Sequence, residues 1–447
     1  MSRSSMPVRK TPQFLIAAPS SNSGKTTITL GILRALTNRG IGAQSFKCGP
    51  DYIDPILHAK AAGRSCINLD TFMCSNNHVK ELFATYSQNA EASIVEGVMG
   101  MFDGADKMKG SSAEIALLLD IPVIMVVNAK AMAYSAAALL YGFKNFFPEI
   151  KLPGVIFNNV KTESHYSFLQ DACRDAGVEA LGYLPPQEDI EIPDRHLGLS
   201  IASDINFDAI CNKIAASLEK TVDIQRLLDL TARPLPSFKT PKPLHTLKPG
   251  FKIAVAHDEA FSFTYHENLE ALRRIGDVVF FSPLTDRSIP PCDFLYLAGG
   301  YPELFLDRLS TNTSMLQSVS KFCENDGKVY SECGGMMYLG KSITASDGKV
   351  FDMVGFLPLR TSMESPKMRL GYRSVHIGDI HIKGHEFHYS TCIELEDVEA
   401  LSCSVENARG ANVDSKIYRK HSTTASYIHL YWGEDQKFLN NLMGLSF

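Results

Sequence analysis

No aspartate or glutamate occurs in the first 50 residues, against seven lysines and arginines. That bias suits an anionic ligand, and it would also suit an organelle-targeting leader. The apolar run that starts by Gln13 leaves too little room for a leader. No apolar stretch approaches the ~18 residues a membrane span needs, so no membrane partner is expected. The ten cysteines form no C-x-x-C pair, which argues against a zinc ribbon and a disulfide framework. A cytoplasmic protein with reduced thiols is the expectation. A net charge of -5 gives no reason to expect nucleic acid as a partner. Internal repeats and low-complexity tracts are also lacking.

What is present is a long α/β pattern. At 447 residues the chain exceeds one ordinary core, and 45% hydrophobic with 21% charged residues is a globular balance. Apolar runs at Phe14–Ala18, Ala43–Lys47, Ala92–Glu96, Val123–Asn128 and Gly154–Asn158 read as buried strands. Helical periodicity falls between them, at Lys25–Asn38, Ser112–Leu119 and Tyr134–Phe146. Continuous Val/Ile strands separated by helices predict a doubly wound parallel sheet. The stretch Ala232–Gly250 carries five prolines and breaks every period, which predicts a linker. A second β/α series follows at Lys252–Ala256, around Glu267–Arg274, and at Val278–Phe281, Phe294–Ala298 and Lys328–Ser331. Beyond Lys349 the pattern turns to shorter strands. The expected domains are therefore 1–231 and 251–447, joined by 232–250.

The segment "APSSNSGKTT", 18–27, is a phosphate-binding loop without its usual first glycine. A buried strand runs into it and a periodic helix runs out. In that context loop and helix N-terminal amides cradle phosphates. Lys25 would reach the outer phosphates and Thr26 would ligate Mg²⁺. The plain alternative is that Ser23 merely caps the helix.

Two acidic segments support the nucleotide reading. "FKCGPDYIDP", 46–55, offers Lys47, Asp51 and Asp54 after a strand, and "IVEGVMGMFDG", 94–104, puts Glu96 at a strand end and Asp103 beyond it. Carboxylates at parallel strand ends beside a phosphate loop are where Mg²⁺ and phosphates gather. Any one of them alone would read as a solvated loop acid.

"KVYSECGGMMYLG", 328–340, predicts strand, sharp turn and helix with Cys333 at the corner. A thiol there projects from the sheet edge, and the Gly334 amide can hold an oxyanion. The helix N-terminus is expected to lower the thiol pKa. The other nine cysteines read as structural. Gly299 and Gly300 of "LAGGYPE" end an earlier strand and could complete the oxyanion hole. A histidine must serve as base, and position alone leaves His385, His388 and His429 open.

Together these features resemble the cobyrinate a,c-diamide synthases, glutamine-dependent amidotransferases of corrin biosynthesis. The resemblance runs from about Phe14 to Trp432. It rests on "APSSNSGKTT", "KCGPDYIDP", "VEGVMGMFDG", "PDRHLGL" (193–199), "AFSFTYHENL", "LAGGYPEL", "SECGGMMYLG", "GHEFHYS" and "ASYIHL". It implies a dethiobiotin-synthetase-like first domain and a class I glutaminase-like second domain. Its nucleotide residues would be Ser20, Ser21, Asn22, Ser23, Gly24, Lys25, Thr26 and Thr27, with Asn158 toward adenine.

Thr26, Asp51 and Glu96 would hold Mg²⁺, and Lys47, Asp51, Tyr52, Asp54 and Asp103 would serve the substrate side. Cys333 is then the nucleophile and His429 its base. Class I glutaminases place Glu two residues after that histidine, whereas this chain has Tyr431, so a Cys–His dyad is implied. The implied reaction amidates the a and c acetates of cobyrinate or hydrogenobyrinate, using ATP and glutamine. Nickel-sirohydrochlorin as acceptor and a non-catalytic nucleotide switch are the alternative readings. Dimerisation would be a family property.

Overall fold

The structure, a computed structural model, describes residues 10–187, 206–235 and 250–445. The motif at 193–199 and most of the proline-rich stretch, 236–249, lie outside the described residues. The chain divides into two compact units, the first holding the described residues 10–187 and 206–235 and the second 250–445.

In the first unit strands and helices alternate: β1 (Lys10–Ala17), α1 (Lys25–Asn38), β2 (Ala43–Cys48), α2 (Ile53–Ala62), β3 (Ile67–Leu69), α3 (Asn76–Ser87), β4 (Ala92–Glu96) and α4 (Ser112–Leu119). They continue as β5 (Val123–Asn128), α5 (Ala136–Phe146), β6 (Gly154–Asn158), α6 (Glu163–Ala176), β7 (Glu179–Leu184), α7 (Phe207–Thr221) and α8 (Ile224–Thr231). The order β3-β2-β4-β1-β5-β6-β7 is parallel throughout. Such strands are covered on both faces, which is why β5 reads VIMVVN and is buried up to its last residue. Phe14 and Ile16 of β1 pack with Ile28, Ile32 and Leu36 of α1 and with Leu218 of α7. Each fully buried aliphatic side chain contributes about 1.5–3 kcal/mol.

Part of the expected linker is not linker. Ala232–Pro234 forms β8, antiparallel to the start of β1, with Lys10 opposite Pro234 and Pro12 opposite Ala232. Gln13 fixes the pairing by donating its amide to the carbonyls of Arg233, at 3.1 Å, and Pro234, at 3.2 Å. Proline is tolerated because this strand lies outside the parallel order.

The second unit begins with β9 (Lys252–Ala256), α9 (His266–Ile275), β10 (Asp277–Phe281), β11 (Phe294–Leu297), α10 (Leu306–Thr311), α11 (Thr313–Glu324), β12 (Lys328–Glu332) and α12 (Gly334–Leu339). Then come β13 (Ser342–Thr344), β14 (Val350–Asp352), β15 (Leu359–Ser362), β16 (Arg369–Ile377), β17 (Ile380–His388) and β18 (Thr391–Glu394). The last elements are β19 (Ser404–Glu406), β20 (Ile417–Lys420), β21 (Thr423–Ser426), β22 (Ile428–Tyr431) and α13 (Lys437–Met443). The central sheet runs β10-β9-β11-β12-β21-β20, and two four-stranded sheets, β14-β13-β15-β18 and β19-β16-β17-β22, flank it. The strands beyond Lys349 are not all short: β16 and β17 each have nine residues and form one antiparallel hairpin.

Trp432 is fully buried against Tyr296 and Tyr330, edge to face at 5.4 Å from each. This aromatic cluster packs β11 and β12 against the residue that follows β22.

Candidate active sites

In the first unit the phosphate loop lies between β1 and α1. Gly24 closes it with φ 99°, a left-handed conformation, and α1 starts at Lys25 without a side-chain cap. Ser23 therefore does not cap the helix; its hydroxyl donates back to Ser20 O at 2.9 Å. Lys25 Nζ donates to Met99 O at 2.6 Å, in the turn beyond β4. Asn158 leaves the end of β6 and donates its amide to Ser23 O at 3.1 Å, so it braces the loop directly.

Behind the loop is a buried charge cluster. Lys47 of β2, with no exposed side-chain surface, lies 2.5 Å from Asp54 Oδ2 and 2.8 Å from Glu96 Oε1. His58 Nε2 is 2.7 Å from Glu96 Oε2, again with both side chains fully buried. Asp54 and His58 stand four apart on α2 and so share a helix face. Two cations thus face two carboxylates.

Burial alone would lower the His58 pKa, but the Glu96 carboxylate, with Cys66 beside it, overrides this and raises it to about 10. Burial would likewise raise that of Glu96, and Lys47 and His58 hold it well below the usual carboxylate range. His58 went unnoticed in the sequence because a histidine within "ILHAK" carries no signal of its own.

The expected magnesium ligands meet only in part. Thr26 Oγ1 donates to Glu96 Oε1 at 2.9 Å, which sets two hard oxygens together at the loop exit. Asp51 Oδ1 caps α2 by accepting from the amides of Ile53 and Asp54, and its other oxygen is 3.9 Å from Lys47. Among the described residues no three His, Cys, Asp or Glu side chains gather as a metal site. A divalent ion here would complete its shell with phosphate oxygens and water, as Mg²⁺ commonly does. Tyr52 is buried next to Asp51, and exposed Asp103 accepts from the Gly100 amide at 3.0 Å.

In the second unit β12 ends at Glu332 and α12 starts at Gly334, with Cys333 between them at φ 45° and ψ -107°. A non-glycine residue in that region stores strain, and it turns the side chain off the strand end. Cys333 Sγ is 3.9 Å from Phe387 O of β17. His429 of β22 is registered opposite His385 of β17, and the two rings stack at 5.1 Å.

A Cβ on Gly299 would lie 2.2 Å from the His429 ring, and one on Gly334 would lie 2.9 Å from Gly300 O. The Gly299–Gly300 turn therefore packs on both the histidine and the residue after the thiol. His385 and His388 are otherwise engaged: His385 Nδ1 is 2.8 Å from Tyr265 OH, and His388 Nε2 is 2.9 Å from Glu386 Oε1.

The thiol departs from expectation. Burial raises the Cys333 pKa far above its ordinary value, the Glu303 carboxylate adds to the rise, and the Gly334 amide opposes it too weakly. Helix α12 has only six residues, so its N-terminal field is small against that desolvation. The resting thiol is protonated.

Comparison with known proteins accords with this pairing of sites. Residues 14–199 match the CobQ/CobB/MinD/ParA nucleotide binding domain, and residues 252–437 match the CobB/CobQ-like glutamine amidotransferase domain. The chain is thus a two-domain α/β glutamine amidotransferase that carries its own nucleotide-binding domain. The cobyrinate a,c-diamide synthase of Archaeoglobus fulgidus is 38% identical over 95% of both chains. That of Syntrophotalea carbinolica is 40% identical over 94% of this chain and 95% of its own. The hydrogenobyrinate a,c-diamide synthase of Brucella abortus is 39% identical, covering 93% and 98%. The chain belongs to the cobyrinate a,c-diamide synthase family.

Proposed function

We propose that this enzyme converts the a and c acetate side chains of cobyrinate, or of its metal-free counterpart hydrogenobyrinate, to amides with ATP and glutamine. The observation that carries the reading is the coexistence, in one chain, of a phosphate loop backed by buried acids and a cysteine at a strained strand-to-helix elbow.

A carboxylate does not react with ammonia, because its oxide is a poor leaving group. The acetate oxygen attacks the γ-phosphorus of ATP, ADP leaves, and an acyl phosphate forms. Ammonia then attacks the acyl carbon and phosphate leaves, giving the amide. Backbone amides of 20–27 hold the phosphates, and Lys25 shifts from Met99 O to the outer phosphate oxygens, where charge develops. Asn158 stands on the adenine side. Asp51, Tyr52 and Asp103 serve the acceptor side, and the buried Lys47–Asp54 pair supports it from within the charge cluster. Thr26 and Glu96, with Asp51 nearby, would hold Mg²⁺, which would supply positive charge against that of the phosphates.

The ammonia comes from glutamine. His429 takes the Cys333 proton as sulfur attacks the side-chain amide carbon, with the amides of Gly299, Gly300 and Gly334 receiving the oxyanion. Collapse releases ammonia, which leaves with that proton, and water hydrolyses the thioester to glutamate. ATP and glutamine are cytoplasmic metabolites, which suits a cytoplasmic enzyme.

The test is mass spectrometry of products from cobyrinate, hydrogenobyrinate and nickel-sirohydrochlorin. Two successive gains of an amide on a corrin, dependent on ATP and glutamine, are expected. Lys25→Ala should abolish amide formation from glutamine or ammonium salts while glutamine hydrolysis persists. Near-normal amide formation by that variant would remove the phosphate-loop assignment, and exclusive turnover of the nickel macrocycle would replace the corrin.

A further inference from the structure

The carboxylate that class I glutaminases place two residues after their histidine is missing here, and Tyr431 of that position packs edge-on against Tyr265 at 5.5 Å. Another carboxylate lies beside the histidine. Glu332, the last residue of β12 and the neighbour of Cys333, is 1% exposed and brings Oε2 within 3.5 Å of His429 Nδ1.

Its position is tightly held. Oε1 accepts from the Leu430 amide at 2.9 Å and from Tyr330 OH at 3.1 Å, and Oε2 accepts from Tyr296 OH at 2.9 Å. The Leu430 amide belongs to the residue after His429, so one carboxylate grips both the backbone and the ring of the histidine's strand. Both tyrosines remain protonated donors, since burial and the adjoining carboxylate raise their pKa values well above the ordinary phenol. On the far side His385 stacks against the His429 ring, so little rotation is left to it.

We infer that Glu332 is the positioning residue of the glutaminase site, completing with Cys333 and His429 a triad whose acid comes from beside the nucleophile. The inference rests on the Cys333–His429 reading proposed above. A carboxylate at Nδ1 keeps the proton on that nitrogen and makes Nε2 the ring's acceptor for the thiol proton. When sulfur attacks glutamine, the S–H proton passes to Nε2, and Glu332 faces the resulting imidazolium. The proton then goes to the departing ammonia and neutral His429 returns. Glu332 itself gains and loses no proton. The 3.5 Å separation is long for a hydrogen bond, as resting catalytic contacts often are before substrate tightens them. Because the resting thiol is held protonated, a correctly oriented base matters more here than in a site with a preformed thiolate.

Glu332→Gln keeps the shape and most acceptor contacts but removes the charge. Glutamate release from glutamine by the full chain should lose about 10²–10⁴-fold in kcat, while KM for glutamine stays within a few-fold and ammonia-driven synthesis is retained. In a His429→Ala background the same substitution should cost less than about 3-fold, since a residue acting through the histidine has nothing left to act on. A folded Glu332→Gln enzyme with near-native kcat would overturn the inference, as would an equal loss in both backgrounds. Should Glu332→Gln melt early, Glu332→Asp decides, because it keeps the charge but draws it back from Nδ1. A reduced kcat at unchanged KM then supports the role, and native kcat refutes it. Continued glutamine hydrolysis by Cys333→Ala would instead refute the underlying Cys–His reading.

Discussion

Lys47 Nζ lies 2.8 Å from Glu96 Oε1, and neither side chain has any exposed surface. Asp54 completes the arrangement at 2.5 Å from the same nitrogen. Removing the cation leaves two carboxylates buried without it, a change that typically costs about 3–5 kcal/mol. Lys47→Met should therefore lower the thermal transition of the first unit by several degrees and abolish ATP-dependent amidation. Circular dichroism and a synthesis assay read both. A Lys47→Met protein with native stability would show that the cluster does not depend on this charge.

The His58–Glu96 pair makes a pH prediction whose sign can be worked through. His58 has a raised pKa, from 6.5 to about 10, so its contribution is complete below 6.5 and disappears as pH rises through about 10. Glu96 has a depressed pKa, so its contribution is present above the ordinary value of 4.5 and disappears as pH falls through the lowered one. Stability of the first unit should peak near pH 5–6.5 and decline toward alkaline pH. His58→Gln should flatten the alkaline decline at lower overall stability. Urea midpoints at pH 6 and 9.5 for both proteins test this, and an equally steep decline in His58→Gln would refute it.

Much of the first unit was legible because buried parallel strands advertise themselves. Ala92–Glu96, Val123–Asn128 and Gly154–Asn158 form with the ends that their apolar runs suggest, and α1 spans Lys25–Asn38 as its periodicity does. Glu96 and Asn158 stand at the strand ends that those runs suggest.

What was hidden depends on partners distant in sequence. β8 lies in a proline-rich stretch and exists only through β1, some 220 residues away. Glu332 sits beside Cys333 in sequence, but its relation to His429 requires β12, β21 and β22 to lie together. The thiol's raised pKa was hidden for a different reason. A helix N-terminus is visible in sequence, whereas the desolvation that overrides it is a property of the packed fold.

Gly24 and Asn158 give a third prediction. A Cβ on Gly24 would stand 2.1 Å from Asn158 Nδ2, and the backbone there is at φ 99°. Gly24→Ala meets two obstacles, a clash and a strained conformation that costs about 1–3 kcal/mol. ATP binding should weaken by at least about 10-fold. Asn158→Ala relieves the clash but also removes the brace on Ser23 O, so adding it should not restore affinity. Calorimetric titration with ATP checks this, and native affinity in the double variant would show that only the clash mattered.

Cys333→Ala tests the division of labour between the two sites. If Cys333 only liberates ammonia, the variant should lose glutamine-dependent synthesis by ~10³-fold or more yet keep synthesis from added ammonium salts. Acyl phosphate formation depends on residues of the first unit, and free ammonia needs only access to the activated carboxylate. Its unprotonated fraction grows with pH, so ammonia-driven synthesis should climb above neutrality in both wild type and variant. His429→Ala should be nearly as defective with glutamine as Cys333→Ala. The reason is the buried thiol: with desolvation holding it protonated, no appreciable thiolate forms without the base. Had the helix N-terminus prevailed, a residual thiolate would leave that variant leaky. Retention of more than about a tenth of native glutaminase activity in His429→Ala would show that another group ionises the thiol. His385, stacked on the same ring, would then be the next residue to substitute. A Cys333→Ala enzyme that still uses glutamine at the native rate would refute the thioester route altogether.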